Sequence, residues 1–411
     1  MTTGHDGDRP PAATCPRGSL TFDPLEPESF DSPHQVYERF RNECPVAHSD
    51  QFGGFWALFK YDDVVAMASD SSTYTTTVQN VVPKITFTGR RPPLHFDPPE
   101  HRSYRLPLSS PLRTAHTAVL EEPLREYARS LVAGFEERGS FDFSKEFALP
   151  FAAQAFALLL HLEQELVLRL RETTVEYNHQ VQAMNHAEVR RLSFALYDVA
   201  REIVESRKAN RLDPATDMVS SLLAATEDEK DPISEEMVVG TIRQMLVAAL
   251  AAPHAVMGSA AVHLARDIAL QQRLRADASL IPAAVEEFLR LYSPYRVFSR
   301  TPVRDVEIGG QHISEGEPIA MIFPSANRDA DVFESPHQLR LDRPEKHIAF
   351  GVGVHKCPAA AFARTEIRIA LEELLAGTTQ FTLAGDVEMM NWLEFGPVSV
   401  PLAGPSPSLD R

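Results

Sequence analysis

Two rhythms of apolar and polar residues divide this chain. Between Asp31 and Asp70 apolar residues recur at helical spacing through PHQVYERFRNEC, crowd together in FWALF, and return to helical spacing through YDDVVAMASD. That order predicts a helix, a short strand pair and a second helix, the start of a small mixed lobe. From about Glu121 to Arg290 the helical spacing persists with few turn signals, as in FAAQAFALLLHL, EEMVVGTIRQMLVAALAA and SLIPAAVEEFLRLY, so this half is expected to be mainly helical. From Tyr292 to Ile348 prolines, glycines and short β-type runs such as RDVEIGGQHISEGEPIAMIF predict hairpins and a long meandering loop. DRPEKHIAFGVGVHKCP follows, and then a last helix, AAAFARTEIRIALEELLAG, that stops at Gly377. Residues 1–18 are rich in Pro, Gly and Asp and lack periodicity, which predicts a flexible tail ahead of one folded domain over residues 19–411.

Composition narrows the function classes. With 411 residues, 44% of them hydrophobic and 24% charged, the chain has the proportions of a soluble globular protein with a large core. Its 57 acidic against 40 basic side chains give a net charge of -17, a field that repels nucleic acid. No run of eighteen apolar residues occurs, and MTTGHDGDRPPAATCPRG lacks the basic start and apolar stretch of a signal peptide, so the expected location is cytoplasmic and no membrane partner is expected. Cys15, Cys44 and Cys357 are an odd number without CxxC spacing, which argues against a disulfide framework, a zinc ribbon or an iron–sulfur cluster; free thiols are expected.

One of these cysteines stands in a distinctive setting. Phe350-Gly351-Val352-Gly353-Val354-His355-Lys356-Cys357 places two glycines and a thiol just before a helix. Glycines let backbone pass close to a flat ring, and amides at a helix N-terminus stabilise a thiolate, lowering its pKa. A lone Cys before a helix reads equally as a small buried hydrophobe. The run resembles the haem-binding loop of cytochromes P-450, Phe-Gly-x-Gly-x-His-x-Cys-x-Gly, departing from it only at the last position, where Ala359 replaces Gly.

Further signatures appear in the family's order. Glu287 and Arg290, three apart on one helical face, match a Glu-x-x-Arg pair that the resemblance places on the thiolate side of the haem with Arg343 of LDRPEKH, a structural role. His101 and Arg105 of DPPEHRSYR, four apart, would share a helical face and could hold a carboxylate. The resemblance implies that they bind the propionates of haem b together with Arg300 and His355, and that Phe350, Gly351 and Ala359 complete the cofactor pocket around Cys357, the axial metal ligand. It also implies a mainly α fold with a smaller β-rich lobe, and a monooxygenase activity in which the thiolate favours cleavage of the O–O bond. Electrons would come from a separate ferredoxin or flavin/iron–sulfur reductase, since no Rossmann glycine fingerprint or iron–sulfur cysteine set occurs. Lys356, Arg364 and Arg368 are the expected basic patch for such an anionic carrier.

The oxygen side departs from the family. Its acid–alcohol pair becomes Ala251 and Ala252, which cannot relay protons, and Pro253 follows. These are the expected catalytic positions beside Cys357. Proline cannot bond to the carbonyl of Ala249, so a kink with a free acceptor is expected there, and that carbonyl, a water, His254 or a substrate group would take over proton transfer. Proline here resembles the bacterial O-demethylases of methoxyphenols (guaiacol type) and the fatty-acid peroxygenases, but Ala252 lacks the latter's arginine. By the same resemblance Ala248, Ala249, Ala252, Val297, Phe298 and Leu393 face a small hydrophobic, aromatic substrate under a lid at residues 78–90. A reductase-driven monooxygenase, a peroxide-driven fatty-acid or aromatic peroxygenase and a non-enzymatic haem-binding sensor remain as readings of this site.

Overall fold

The computed structural model describes residues 20–26 and 29–404, so the tail expected over 1–18 lies outside them. A helix at Glu235–Arg266, 32 residues long, runs through the middle of the fold. Ser234 caps it, accepting from the Met237 amide, and Glu235 and Glu236 sit in its first turn, where the helix dipole favours acid. Its apolar residues face almost every direction, the mark of a helix enclosed by others. Helices Leu149–Leu160, Gln164–Gln182, His186–Ala209 and Ala360–Ala376 surround it. By length and composition it could cross a membrane, yet 72% of its most apolar window is buried in this core. The interruption expected at Pro253 is confined to the one hydrogen bond that proline cannot donate, for the helix runs unbroken past it.

The smaller lobe holds a five-stranded sheet. In spatial order its strands are Val46–Ser49, Phe55–Leu58, Ile319–Met321, Phe298–Pro302 and Tyr74–Thr75. Phe55–Leu58 runs parallel to Ile319–Met321 with Trp56 opposite Ile319, and Phe298 pairs antiparallel with Met321. Helices Ser32–Glu43 and Tyr61–Ser69 flank the first hairpin, the order the apolar pattern predicts. The glycine-rich turn Gly309-Gly310 closes the hairpin Val306–Ile308 with Gln311–Ile313, as read from its sequence.

Two expectations change in detail. Cys357 is a free thiol, but Cys44 is disulfide-bonded and Cys15 lies outside the described residues. An odd count guarantees only one unpaired thiol, and spacing does not say which. The last helix does end at Gly377, whose φ of -87° is not left-handed. The glycine is needed there for space, because a Cβ would meet Val132 Cγ1 at 2.4 Å.

The segment 391–397 lies directly on the central helix. A Cβ on Gly396 would fall 2.4 Å from the Ala255 Cβ and 2.6 Å from its Cα, and one on Gly258 would fall 2.8 Å from Pro397. The clash at Gly396 involves backbone on both sides and has no flexible partner to yield. Gly396→Ala should therefore destabilise the protein by about 1–3 kcal/mol, the usual cost of overpacking, visible as a lowered midpoint in urea unfolding.

Candidate active site

Cys357 forms part of the wall of an interior cavity of ≈340 Å³. The loop carrying it is closed by hydrogen bonds from the Gly351 amide to the Ile348 carbonyl (2.8 Å) and from the Cys357 amide to the Phe350 carbonyl (2.8 Å). Gly351 and Gly353 have φ of 70° and 69°, a region that glycine alone enters freely, and a Cβ at Gly353 would strike the Ala68 carbonyl at 2.4 Å. The Phe350 ring is covered by the Arg364 guanidinium, 4.5 Å from its centroid. Glu286 grips that guanidinium at 2.5 and 2.9 Å and also meets His347 at 3.1 Å. Burial pushes the Glu286 carboxyl up, but His347 and Arg364 outweigh it and hold it at about 2. For Cys357 the balance goes the other way. Burial pushes the thiol up, and the Ala359 amide, Arg105 and Arg364, which favour a thiolate, only partly oppose it. The lowering expected from the helix N-terminus is present, and desolvation exceeds it.

Glu287, Arg290 and Arg343 come together as expected. Arg290 makes a two-pronged contact with Glu287 at 2.7 and 2.9 Å, and Arg343 Nε donates to the same carboxylate at 3.0 Å. The Arg340 amide adds a fourth bond at 2.9 Å, and the remaining Arg290 donors reach the carbonyls of Asn327, Pro336 and Gln338. Burial pushes the Glu287 carboxyl up, and these donors together bring it below its ordinary value. One acid thus ties the helix Ile281–Leu291 to the meander that leads into the cysteine loop.

His101, Arg105, Arg300 and His355 converge on the rim of the cavity. The two imidazoles meet edge to face with centroids 4.7 Å apart, and each leaves a buried Nε2 without a hydrogen-bond partner. Arg300 is 5% exposed, and its one hydrogen bond among the described residues goes to the adjacent Ser299 carbonyl. Asp97 acts on Arg300 and lies 4.0 Å from His355 Nε2, but it accepts no hydrogen bond from either, and buried donors left so are costly unless an anion meets them. The propionates of a haem fit this requirement, with Phe350, Gly351 and Ala359 lining the same cavity.

Ala248, Ala249, Ala252, Pro253, Phe298 and Leu393 also line it. Val297 does not. It packs in a separate core with Val81, Val82 and Trp392, because neighbouring residues of an extended chain face opposite sides. Ala251 is buried outside the cavity lining, pointing away from the helical face that carries Ala248 and Ala252. His254 is likewise turned away, its Nε2 2.6 Å from Ser144 Oγ, which donates on to the Pro397 carbonyl at 2.9 Å. It is therefore not a proton relay over the cavity. Asn80, Val81 and Ile85 of the expected lid do line it. Of the expected basic patch only Lys356 stands exposed without an ion pair among the described residues, because Arg364 is bound to Glu286 and Arg368 to Glu121 and Glu372.

Sequence reasoning missed several polar groups in the cavity. Glu366 lies in its wall on the helix after Cys357, and burial with no compensating partner pushes its carboxyl well above the ordinary range. Glu394 is raised to about 7, by burial against the weaker pull of its own amide and Arg296. Arg91, Tyr177, Arg243 and Tyr295 are there too. A lone arginine in the apolar run VVGTIRQMLVAAL was a usable signal for Arg243.

A free thiol below, basic donors awaiting an anion at the rim and a long helix above define a haem-binding protein in which a cysteine would hold the iron. Residues 182–378 match the family model for cytochrome P450. A putative cytochrome P450 126 from Mycobacterium tuberculosis is 30% identical over 381 residues, covering 88% of this chain and 90% of that protein. Cytochrome P450 109 from Bacillus spizizenii is 29% identical over 353 residues, with 84% of each chain covered. Among solved structures, cytochrome P450 CYP101C1 superposes with a TM-score of 0.83 at 27% identity, covering 94% of this chain and 97% of its own. CYP109Q5 from Chondromyces apiculatus gives the same TM-score at 26% identity, covering 94% and 99%. The chain belongs to the cytochrome P450 family, and with it to the monooxygenases that bind haem b through a thiolate.

Two outcomes follow from the thiolate side. Glu287→Ala leaves Arg290 and Arg343 buried without their acid and should cost about 3–5 kcal/mol in urea unfolding, with a lowered haem content of the purified protein. Glu286 is a depressed carboxylate, so its contribution is complete above about pH 4.5 and is lost as pH falls toward about 2. Glu286→Gln should flatten the dependence of Tm on pH across that window.

Proposed function

We propose that Cys357 would hold the iron of haem b and that the enzyme inserts one oxygen atom of dioxygen into a compact substrate beneath Ala248, Ala249 and Ala252. The specific reaction proposed is O-demethylation of a methoxyarene of the guaiacol type. The observation that carries the reading is one cavity with a thiol in its wall, four basic donors at the rim and alanines on the overhanging helix. Bound there, haem supplies dioxygen activation and insertion into a nearby C–H bond, with the thiolate favouring O–O cleavage. Oxygen inserted into a methoxy methyl gives a hemiacetal that collapses to a phenol and formaldehyde.

The chain's own residues set the conditions around that chemistry. Arg105 and Arg300 neutralise the propionates, and His101 and His355 orient them. Phe298 and Leu393 exclude water from one wall, and the alanines leave room for a ring. Neither Ala251 nor Ala252 can move a proton, so the Ala249 carbonyl, without a donor because Pro253 has no N–H, holds a water that does. Electrons come from a separate ferredoxin or flavin/iron–sulfur reductase, and Lys356 is the exposed cation beside the cysteine loop that meets it. Peroxide-driven turnover is the second reading, favoured by the same missing proton donors.

Reduced protein with carbon monoxide should show the strongly red-shifted band of a thiolate-ligated haem, and Cys357→Ala should abolish it. A band typical of histidine ligation in the unmutated protein would overturn the assignment. Turnover of methoxyarenes with a redox partner and dioxygen, against peroxide alone, separates the two readings. Ala252→Thr should not sharply improve coupling of reductant to product, and a sharp gain would refute the proposed proton route.

A further inference from the structure

The cavity holds a second set of buried charges away from the haem rim. Arg91, just after the 78–90 segment, and Arg243, on the central helix, both line it. Arg243 is 1% exposed and Arg91 9%. The Arg243 guanidinium lies 4.9 Å from the Tyr177 ring centroid and donates to Ser193 Oγ at 2.9 Å. The Nε atoms of both arginines have no hydrogen-bond partner, and among the described residues neither arginine forms an ion pair. Arg91 is brought down to about 10, first by burial and then by the positive charge of Arg243, with only the Tyr177 and Tyr197 hydroxyls opposing. Next to them His95 is pushed to about 3 by burial and by Arg91, Arg90, Arg243 and Lys84. A cationic corner has been assembled inside a chain of net charge -17.

Elsewhere among the described residues, buried arginines donate to acids, carbonyls or hydroxyls, although Nη1 of Arg296 has no partner. Arg290 and Arg343 share Glu287. Arg41 donates to Ser325, Arg328 to the Leu291 carbonyl, and Arg296 to the carbonyls of Met390 and Glu394. Among the described residues, the rim and the pair Arg91 with Arg243 are where guanidinium groups line the cavity without forming an ion pair. The carboxyl of Glu394 is opposed by Arg296 and is not among the groups acting on Arg91. Two like charges brought together out of water are costly, and an anion between them offsets that cost.

We propose that the substrate carries a carboxylate, bound by Arg91 and Arg243 with the Tyr177 hydroxyl beside them, and that its apolar body extends toward the Cys357 side. Planar guanidinium groups suit a carboxylate's two oxygens. The substrate class is then narrowed to methoxyarenes that also carry a carboxylate, and the inference rests on the proposed oxidation only for which end of the molecule reacts. The cationic corner also draws anions into a mouth on an otherwise repelling surface.

The test compares 4-methoxybenzoate and longer (methoxyphenyl)alkanoates with their methyl esters, all on the haem-loaded protein, by the spin-state shift and by calorimetry. At least one acid should bind about 10–100-fold more tightly than its ester, as loss of a charged hydrogen bond implies. Arg91→Gln and Arg243→Gln should remove that preference by weakening acid binding far more than ester binding, and Arg→Lys at either site should restore part of it. The wild-type comparison stands alone if a variant folds poorly. Equal affinity for acids and esters across the series overturns the proposal, as does tight binding of 4-methoxyphenyl phosphate with none of the carboxylates. A missing thiolate band with carbon monoxide would instead overturn the haem-thiolate reading, so the two failures are distinct.

Discussion

A charge taken out of water must be answered by an opposite charge or by several hydrogen bonds, and this constraint organises the whole interior. Glu287 is its centre. Four donors on two stretches of chain, its own helix and the meander, converge on that carboxylate, so the meander that leads into the cysteine loop is fixed against the helix. Breaking one contact exposes the cost of all of them, because the partners stay buried. Glu286, the next residue, faces the other way and holds Arg364 over Phe350, so two neighbouring acids on one helix turn fix both the frame and the ring of the thiol loop.

The same constraint makes the cavity interpretable. Where the role is structural, guanidinium groups end on acids or carbonyls. Where donors beside the cavity lack such a partner, a bound molecule would meet them. The two imidazoles at the rim, with unpartnered Nε2 atoms, and Arg300, bonded only to its neighbour Ser299, stand in that position on the cofactor side.

How much of this was legible in the sequence varied with the range of the interaction. The helix–hairpin–helix order of the small lobe, the apolar central helix and the position of Gly377 could be read because each depends on local periodicity or on a single punctuating residue. The Glu287, Arg290 and Arg343 cluster and the four rim donors were found through the family's motif order, and the geometry agrees with it. Val297 was misplaced because a resemblance by position does not carry the one-residue alternation that decides which side chain faces the cavity. Glu366, Glu394 and Arg91 escaped notice because nothing local marks them; their meaning arises only when distant segments close around them. Arg243 differs, since a charge inside an apolar helix is visible in one dimension.

The central helix is fastened beyond its proline. His254 is bonded to Ser144, Ser144 to the Pro397 carbonyl, and Gly396 and Gly258 leave no slack between that helix and the last segment of chain. A roof anchored there moves only together with the last segment of chain. Exchange of single side chains at Ala248, Ala249 and Ala252 would reshape the chamber without loosening that anchor.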